Sequence, residues 1–176
     1  MSIIVEDGTG MSTSETFASV SFCDTYHANQ GNAAWALIAS TALKEQALRR
    51  AMTYLTGEYR QRWAGTRTSL AQALDWPRYM VPVQDIPGGF SANPAYVPGN
   101  VIPVIIQNVV AELALKASVQ DLAPDVTRGV LAETVGPISV EYDPHGLLHT
   151  TYRAIDMALE PYLRFNGGTN VKVFRG

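Results

Sequence analysis

The pattern of hydrophobic and polar positions predicts a mainly α-helical chain. Its strongest signal lies in TALKEQALRRAMTYLTGEY, where apolar residues recur at helical spacing. These residues form one stripe: Leu48, Ala51, Met52, Leu55 and Tyr59. Charged side chains occupy the other face, where Glu45 and Arg49 make an i, i+4 pair that contributes only about 0.3 kcal/mol. We therefore expect a long amphipathic helix, capped by Thr41, with this stripe in the core.

Four further segments carry helical patterns. One helix is expected from Ser21 to near Gly31, and SLAQALDWPR predicts a short helix stopped by Pro77. NVIPVIIQNVVAELALKAS is apolar nearly all round, which predicts the central, most buried helix. TTYRAIDMALEPYLRF predicts a last helix. The expected fold is a bundle of about five helices with a small β-hairpin and extended N- and C-terminal arms.

Non-helical stretches divide the chain into an N-terminal arm (1–18), a helical domain (19–165) and a C-terminal tail (166–176). Residues 131–143, LAETVGPISVEYD, predict the β-hairpin, because Ile138, Val140 and Tyr142 alternate with polar residues after a Gly-Pro turn. A lone two-stranded hairpin is marginally stable in water. It must therefore pack on helices, on another chain or on both, and we expect these three residues at or near a subunit interface.

Residues 79–101 predict a long loop that is rich in proline, glycine and apolar side chains. Apolar anchors such as Phe90 and Tyr96 favour contact with a partner over a loop packed by its own side chains, so both are assigned to the subunit interface. The tail follows Gly167 and Gly168 with an alternating, strand-like run. Its candidate partner-binding residues, assigned to β-augmentation or groove docking on another chain, are Val171, Val173, Phe174 and Arg175.

Composition narrows the classes of function. The chain has 176 residues, 47% of them hydrophobic, which fits one globular domain, and its formal net charge is −3. An acidic balance disfavours phosphate binding, and the nearest basic patch (Arg49, Arg50, Arg60 and Arg62) is more typical of a solvated helix face. With one cysteine, Cys23, no intrachain disulfide can form. No signal peptide or membrane span is predicted, so we expect synthesis in the cytoplasm.

No constellation of residues points to catalysis, a metal or a cofactor, so we expect a non-enzyme. His27, His145 and His149 are dispersed. A metal site at His145 and His149 would need Asp143 or Glu141 as a further ligand, and the intervening residues predict a turn. An enzyme with an unrecognised site stays open as an alternative, which these residues would support only by converging in a pocket.

Five segments, taken in order, resemble the phage head–tail connector or neck-adaptor proteins that are often labelled DnaT-like. They are VEDGTG, VSFCDTYHANQGNAAW, AQALDWPR, VIPVIIQNVVAELALKA and VGPISVEYD. The resemblance runs from Val5 to the last helix, and its specificity lies in the order of the motifs. The 79–101 segment is longer than in compact members of that family, so its role is not carried over.

The resemblance implies a virion structural protein of the neck. Such adaptors form a ring, expected here to be a dodecamer, between the portal protein and the neck or tail completion proteins, with duplex DNA passing through the lumen. Their C-terminal tails reach onto the portal, which implies that role for Val171, Val173, Phe174 and Arg175. The DnaT-like label supplies the alternative, a single-stranded DNA-binding protein, which needs a cationic groove with stacking aromatics.

Overall fold

The computed structural model describes residues 2–83, 95–125, 132–135, 138–141 and 151–164. Five helices dominate these residues, and two short antiparallel β pairs accompany them. The helices are α1 (Val20–Gln30), α2 (Ala33–Ala36), α3 (Thr41–Tyr59), α4 (Val104–Ala117) and α5 (Arg153–Leu159), and a 3-10 turn, Glu160–Tyr162, follows α5. The strands are β1 (Thr66–Arg67), β2 (Arg78–Tyr79), β3 (Ala132–Val135) and β4 (Ile138–Glu141). The mainly α prediction is confirmed.

Helices α3 and α4 form the centre of the core, and α1 and α5 pack against α4. Every residue of the predicted α3 stripe is buried. Seven residues of α4 are buried as well: Ile106, Val109, Val110, Ala111, Leu113, Ala114 and Ala117. The central position predicted for this helix follows from that hydrophobic composition, because only a helix surrounded by other elements can bury apolar residues on most of its faces.

Two predicted helix caps are displaced along the chain. The side chain of Ser19, not Ser21, accepts a hydrogen bond from the Phe22 amide, so α1 begins at Val20. Ser40 likewise caps α3 in place of the expected Thr41. Each true cap has extended backbone dihedrals and lies just outside its helix, as N-cap geometry requires.

The N-terminal segment is irregular and packs on the core of its own chain. Glu6 is buried, and its carboxylate accepts hydrogen bonds from the amides of Gly8, Gly10 and Met11 and from the Ser14 hydroxyl. Four donors satisfy a carboxylate that would otherwise be costly to bury. Glu6 therefore organises the VEDGTG segment into a compact loop.

The helix predicted for residues 69–78 does not form: residues 69–77 fold as irregular turns, and Arg78 begins β2. The buried Gln72 side chain replaces helical hydrogen bonding: its oxygen accepts from the Ser69 amide, and its nitrogen donates to the carbonyls of Leu74 and Pro77. This side chain thus satisfies backbone groups that a helix would have paired. Trp76 is fully buried and precedes a cis peptide bond to Pro77.

The described parts of the predicted 79–101 loop pair with each other. Val97 donates to the carbonyl of Val81 at 2.9 Å, and Val83 donates to that of Ala95 at 2.9 Å. The two ends of the loop are therefore joined, and Val81 is buried in the core. Residues 84–94 lie outside the described residues.

The predicted hairpin is confirmed as β3 and β4, in the register Val135 to Ile138 and Ala132 to Glu141. Within the described residues each of these strands pairs only with the other. Residues 126–131 and 142–150 lie outside the described residues, and the description resumes at Thr151. The Tyr152 hydroxyl donates to the Leu122 carbonyl at 3.4 Å, which joins the segment before α5 to the segment after α4.

Candidate nucleic-acid interface

Five arginines gather around the turn that follows α3. Two of them bind its carbonyls: Arg78 donates to Ala64 and Gly65 at 2.7 and 2.8 Å, and Arg164 donates to Trp63 at 2.9 Å. We call this surface the arginine-rich end, and it consists of Arg60, Arg62, Arg67, Arg78 and Arg164. Residues distant in sequence meet there because Tyr162–Arg164 pairs with Arg62–Ala64 and β1 pairs with β2.

Arg78 is the structural centre of this surface. It is only 5% exposed, and it donates to the Asp75 carbonyl in addition to its two bonds within the turn. Burial lowers the pKa of its guanidinium, and the positive charges of Arg164 and Arg67 lower it further against the opposing effect of Asp75. Like charges are thus held close together, which raises the local positive potential.

Only some of these cations are neutralised. Arg60 forms an ion pair with the buried Asp75 at 2.9 Å, and Arg62 contacts both Glu58 and Asp156, at 3.0 and 3.3 Å. Arg67 and Arg164 are exposed, and neither forms an ion pair with a carboxylate in the described part of the chain. Arg67 donates to the Gln72 carbonyl at 3.3 Å and Arg164 to the Trp63 carbonyl, so the remaining N–H donors of each guanidinium group are the ones available for an external anion.

The strand that carries Arg78 also carries an exposed aromatic ring. Tyr79 follows Arg78 in β2, pairs with Thr66 of β1, and is 54% exposed. Its ring lies against Gly99, where a side chain would collide with it. The glycine thus allows the ring to lie along the surface. A cationic surface with an accessible aromatic ring has the two components that single-stranded nucleic-acid binding uses, phosphate contacts and base stacking.

Buried aromatic residues pack against one another beneath the arginine-rich end. Trp63 and Trp76 are fully buried and meet edge to face at 5.8 Å, and Trp76 makes a similar contact with Tyr162. These contacts fix the turn that carries the carbonyls bound by Arg78 and Arg164. The arginine-rich end is therefore built on a rigid part of the core.

Most residues predicted to bind partners lie elsewhere or outside the described residues. Ile138 and Val140 lie in β4, and Tyr96 is half-exposed and bridges to Pro82. The others fall outside the described residues: Phe90, Tyr142, Val171, Val173, Phe174 and Arg175. The structure does not bring Tyr96 and the β4 residues into one described site, and their interface role stays a prediction.

The sequence analysis missed Arg67, Arg78 and Arg164 as candidate site residues. It identified Arg60 and Arg62 but interpreted them with Arg49 and Arg50 as a solvated helix face. In the structure Arg49 instead binds Glu15 at 2.8 Å, and Arg60 lies just beyond α3. The density of arginines in residues 60–67 was the available signal, whereas the approach of Arg164 depends on a pairing between distant segments.

The side chains considered for chemistry are buried or lie outside the described residues. Cys23 is buried, and burial raises the pKa of its thiol to about 12, so the thiol stays protonated at neutral pH. His145 and His149, the alternative metal ligands, lie outside the described residues. Among the residues that are described, no three His, Cys, Asp or Glu side chains are placed to hold a metal ion. No described helix has the length and hydrophobicity to cross a bilayer.

Fold and site together define a small, mainly α protein whose most distinctive surface is a cluster of arginines, with an exposed tyrosine in one of the strands that carry them. A family model described as "Putative DnaT-like ssDNA binding protein" matches residues 1–176, so the chain belongs to this DnaT-like family. No curated protein and no solved structure matches the chain. The match bears out the DnaT-like part of the resemblance, and nothing in the comparisons supports its phage-connector part.

Proposed function

We propose that this protein binds single-stranded DNA, without catalysis, through the arginine-rich end. The observation that carries the proposal is the pair Arg67 and Arg164, exposed, without carboxylate partners among the described residues, and close enough to Arg78 to lower its pKa. Membership of a family described as DnaT-like and ssDNA-binding supports the same reading.

The formal net charge of −3 argues against this function only when the charge is averaged over the chain. Exposed charges are screened beyond about 8 Å at physiological ionic strength, so a phosphate responds to the cations in its neighbourhood. At the arginine-rich end the acidic side chains Asp75, Glu58 and Asp156 are already engaged by Arg60 and Arg62. Arg67 and Arg164 then supply phosphate contacts, and Tyr79 supplies a stacking platform for a base.

The test is the affinity of the purified chain for a fluorescein-labelled oligothymidylate, measured by anisotropy. The double variant Arg67→Ala/Arg164→Ala is expected to weaken binding by about a hundredfold, since each charge-assisted hydrogen bond contributes about 1.5 kcal/mol and each 1.4 kcal/mol is about a factor of ten. Tyr79→Ala is expected to weaken it by about tenfold through loss of stacking. Arg153→Ala is the matched control, because Arg153 is an exposed arginine at the start of α5.

If the double variant bound the oligonucleotide as tightly as the wild type, the arginine-rich end would not be the binding site. A stronger preference for duplex than for single strands would contradict the assigned ligand. The Arg153→Ala control separates weaker binding by the double variant from a general effect of losing positive charge.

A second function is favoured by the β3–β4 hairpin, whose strands pair only with each other among the described residues. In this alternative the hairpin completes its sheet on a neighbouring copy, and the chain is a head-to-tail connector subunit in a ring. That ring, proposed as a dodecamer in the virion neck, joins the portal to neck or tail completion proteins around duplex DNA. Contacts of Ile138, Val140, Tyr142, Phe90 and Tyr96 between subunits and of the tail with the portal belong to this proposal.

Electron microscopy of the protein mixed with a purified portal tests the alternative. A ring on the portal that is lost on deletion of residues 167–176, while the truncated chain stays folded, would favour the connector. If the ring still formed after the deletion, the tail would not be the portal contact. A protein that binds oligothymidylate and forms no ring with the portal would leave single-stranded DNA binding as the function.

A further inference from the structure

A groove whose lining residues are mostly apolar lies on a part of the surface that the DNA-binding proposal does not use. It has a volume of about 310 Å³ and is formed by the turn after α2, the first half of α3 and the end of α4. We call it the apolar groove, and its principal lining residues are Leu37, Ile38, Leu43, Arg50, Ser118 and Val119. The groove begins near the first turn of α3, whereas the arginine-rich end follows the last turn of that helix. At 1.5 Å per residue, about 25 Å of helix separates Leu43 from Arg60.

Three large apolar side chains of the groove are exposed. Leu37 is 82% exposed, Val119 is 81% exposed and Leu43 is 45% exposed. Leu37 lies directly after α2, whose Trp35 is buried with its indole donating to Asp24 at 2.7 Å. Single exposed apolar residues are ordinary, but several that line one concave surface are typical of a docking site.

The groove also has one charged side chain, Arg50. It lies seven residues, or about 10 Å, along α3 from Leu43, so both residues project from the same face of the helix. Arg50 is exposed and forms no ion pair with any described residue, although Glu58 and Asp121 line the adjoining groove on its other side. An arginine without a partner at one end of an apolar surface is complementary to a carboxylate.

We infer that the apolar groove binds a short peptide segment of a partner protein that carries apolar side chains and a carboxylate. The apolar side chains pack against Leu37, Leu43 and Val119, and the carboxylate forms a bidentate contact with Arg50. The single cation and the apolar walls do not suit a polyphosphate chain, which needs repeated cationic contacts. The occupant is therefore a peptide rather than a nucleic acid.

The test starts with a phage-displayed library of random short peptides, selected on the full chain. The recovered sequences are expected to combine leucine, isoleucine or phenylalanine with aspartate or glutamate. A synthetic copy of the most enriched peptide is then titrated by calorimetry. Leu37→Ser/Val119→Ser is expected to weaken its binding at least tenfold, whereas Leu70→Ser, an equally exposed leucine outside the groove, leaves it unchanged.

A charge exchange tests Arg50 without altering the apolar walls. Arg50→Glu is expected to prefer a version of the peptide in which the acidic residue is replaced by lysine, reversing the preference of the wild type. Melting temperatures equal to that of the wild type show that the exposed substitutions leave the fold intact. Should a groove variant fail to fold, the charge exchange at Arg50 decides the inference.

Three results overturn the inference. The library enriches no peptide, or the enriched peptide binds the Leu37→Ser/Val119→Ser variant as tightly as the wild type, or the charge exchange leaves the preference unchanged. Light scattering adds a fourth: wild-type dimers that the groove variant abolishes would assign the groove to a second copy of this chain.

Discussion

The Tyr59 hydroxyl donates a hydrogen bond of 2.7 Å to the Asp156 carboxylate and so joins the end of α3 to α5. Tyr59 is almost fully buried, and burial, with Asp156 as the second cause, raises the pKa of its phenol. Arg62 donates to the same carboxylate oxygen at 3.3 Å and lies over the Tyr59 ring at 4.6 Å. The three side chains form one unit that holds α5 beside the arginine-rich end.

Removing the Tyr59 hydroxyl tests this unit. Tyr59→Phe is expected to lower the free energy of unfolding by about 1.5 kcal/mol, since a hydrogen bond to a charged group is lost while the ring remains packed. Urea denaturation measures the change. Tyr54→Phe, a neighbouring tyrosine whose ring meets Tyr152 edge to face, is the control and should have a smaller effect. Equal effects of the two substitutions would show that the bond to Asp156 has no special weight.

Arg78 is expected to be structural, whereas Arg67 is expected to act in binding. Arg78→Met leaves the carbonyls of Ala64, Gly65 and Asp75 without their donors, which should cost about 2–4 kcal/mol. Arg67→Ala removes an exposed side chain and should change the free energy of unfolding by less than about 0.5 kcal/mol. If Arg78→Met had only a small effect in urea denaturation, the hydrogen bonds of Arg78 would not stabilise the turn after α3.

Two glycines with the same backbone conformation provide a matched pair. Gly31 and Gly65 have φ angles of 72° and 65°, in the left-handed region that favours glycine. Only at Gly65 would an added Cβ collide, with the carbonyl oxygen of Tyr79, whereas Gly31 has open space around it. Gly31→Ala should cost about 1–2 kcal/mol from the backbone alone. Gly65→Ala should cost clearly more, and equal melting temperatures for the two variants would contradict the close approach of β2 to the turn.

His27 should make stability depend on pH. It is buried, and burial lowers the pKa of its imidazole; Nε2 lies 3.1 Å from the Ala111 carbonyl, and Nδ1 lies 3.2 Å from the Asn32 amide nitrogen. Those partners fit the neutral ring, with Nε2 donating and Nδ1 accepting. The unfolded chain binds a proton below about pH 6.5 and the folded chain does so only at lower pH, so stability is fully present above that pH.

Stability should therefore fall as the pH drops from about 6.5 towards the lowered folded pKa, by at most about 1.4 kcal/mol per pH unit. Urea denaturation at a series of pH values measures the slope for the wild type and for His27→Gln. The variant should lose this slope even though it is less stable overall. The same slope in both proteins would assign the effect to other groups, such as His145 or His149.

The sequence predicted the elements whose pattern is repeated over many residues. The α3 stripe and the nearly uniform hydrophobicity of α4 fixed both helices and their burial, because periodicity is a property of the segment itself. Residues 69–78 were mispredicted because the Gln72 side chain satisfies the backbone through contacts that no local pattern reports. The cap positions failed by one or two residues, since Ser19 and Ser21, like Ser40 and Thr41, are both suitable cap residues.

The candidate site was harder to predict than the fold. Arg60, Arg62 and Arg67 are close in sequence, but Arg164 approaches them only through the pairing of Tyr162–Arg164 with Arg62–Ala64. Net charge also hid the arginine-rich end from the sequence analysis, because it averages over the acidic residues that pair with other cations, as Glu15 does with Arg49. Local charge depends on the tertiary fold.

The most direct test of DNA binding at the arginine-rich end is the salt dependence of oligothymidylate affinity. A plot of the logarithm of the association constant against that of salt concentration has a slope of about −0.7 per phosphate contact on single strands. The Arg67→Ala/Arg164→Ala variant should have a slope shallower by about 1.4 than the wild type, and Arg153→Ala should match the wild type. A slope that the double substitution leaves unchanged would contradict the proposed interface.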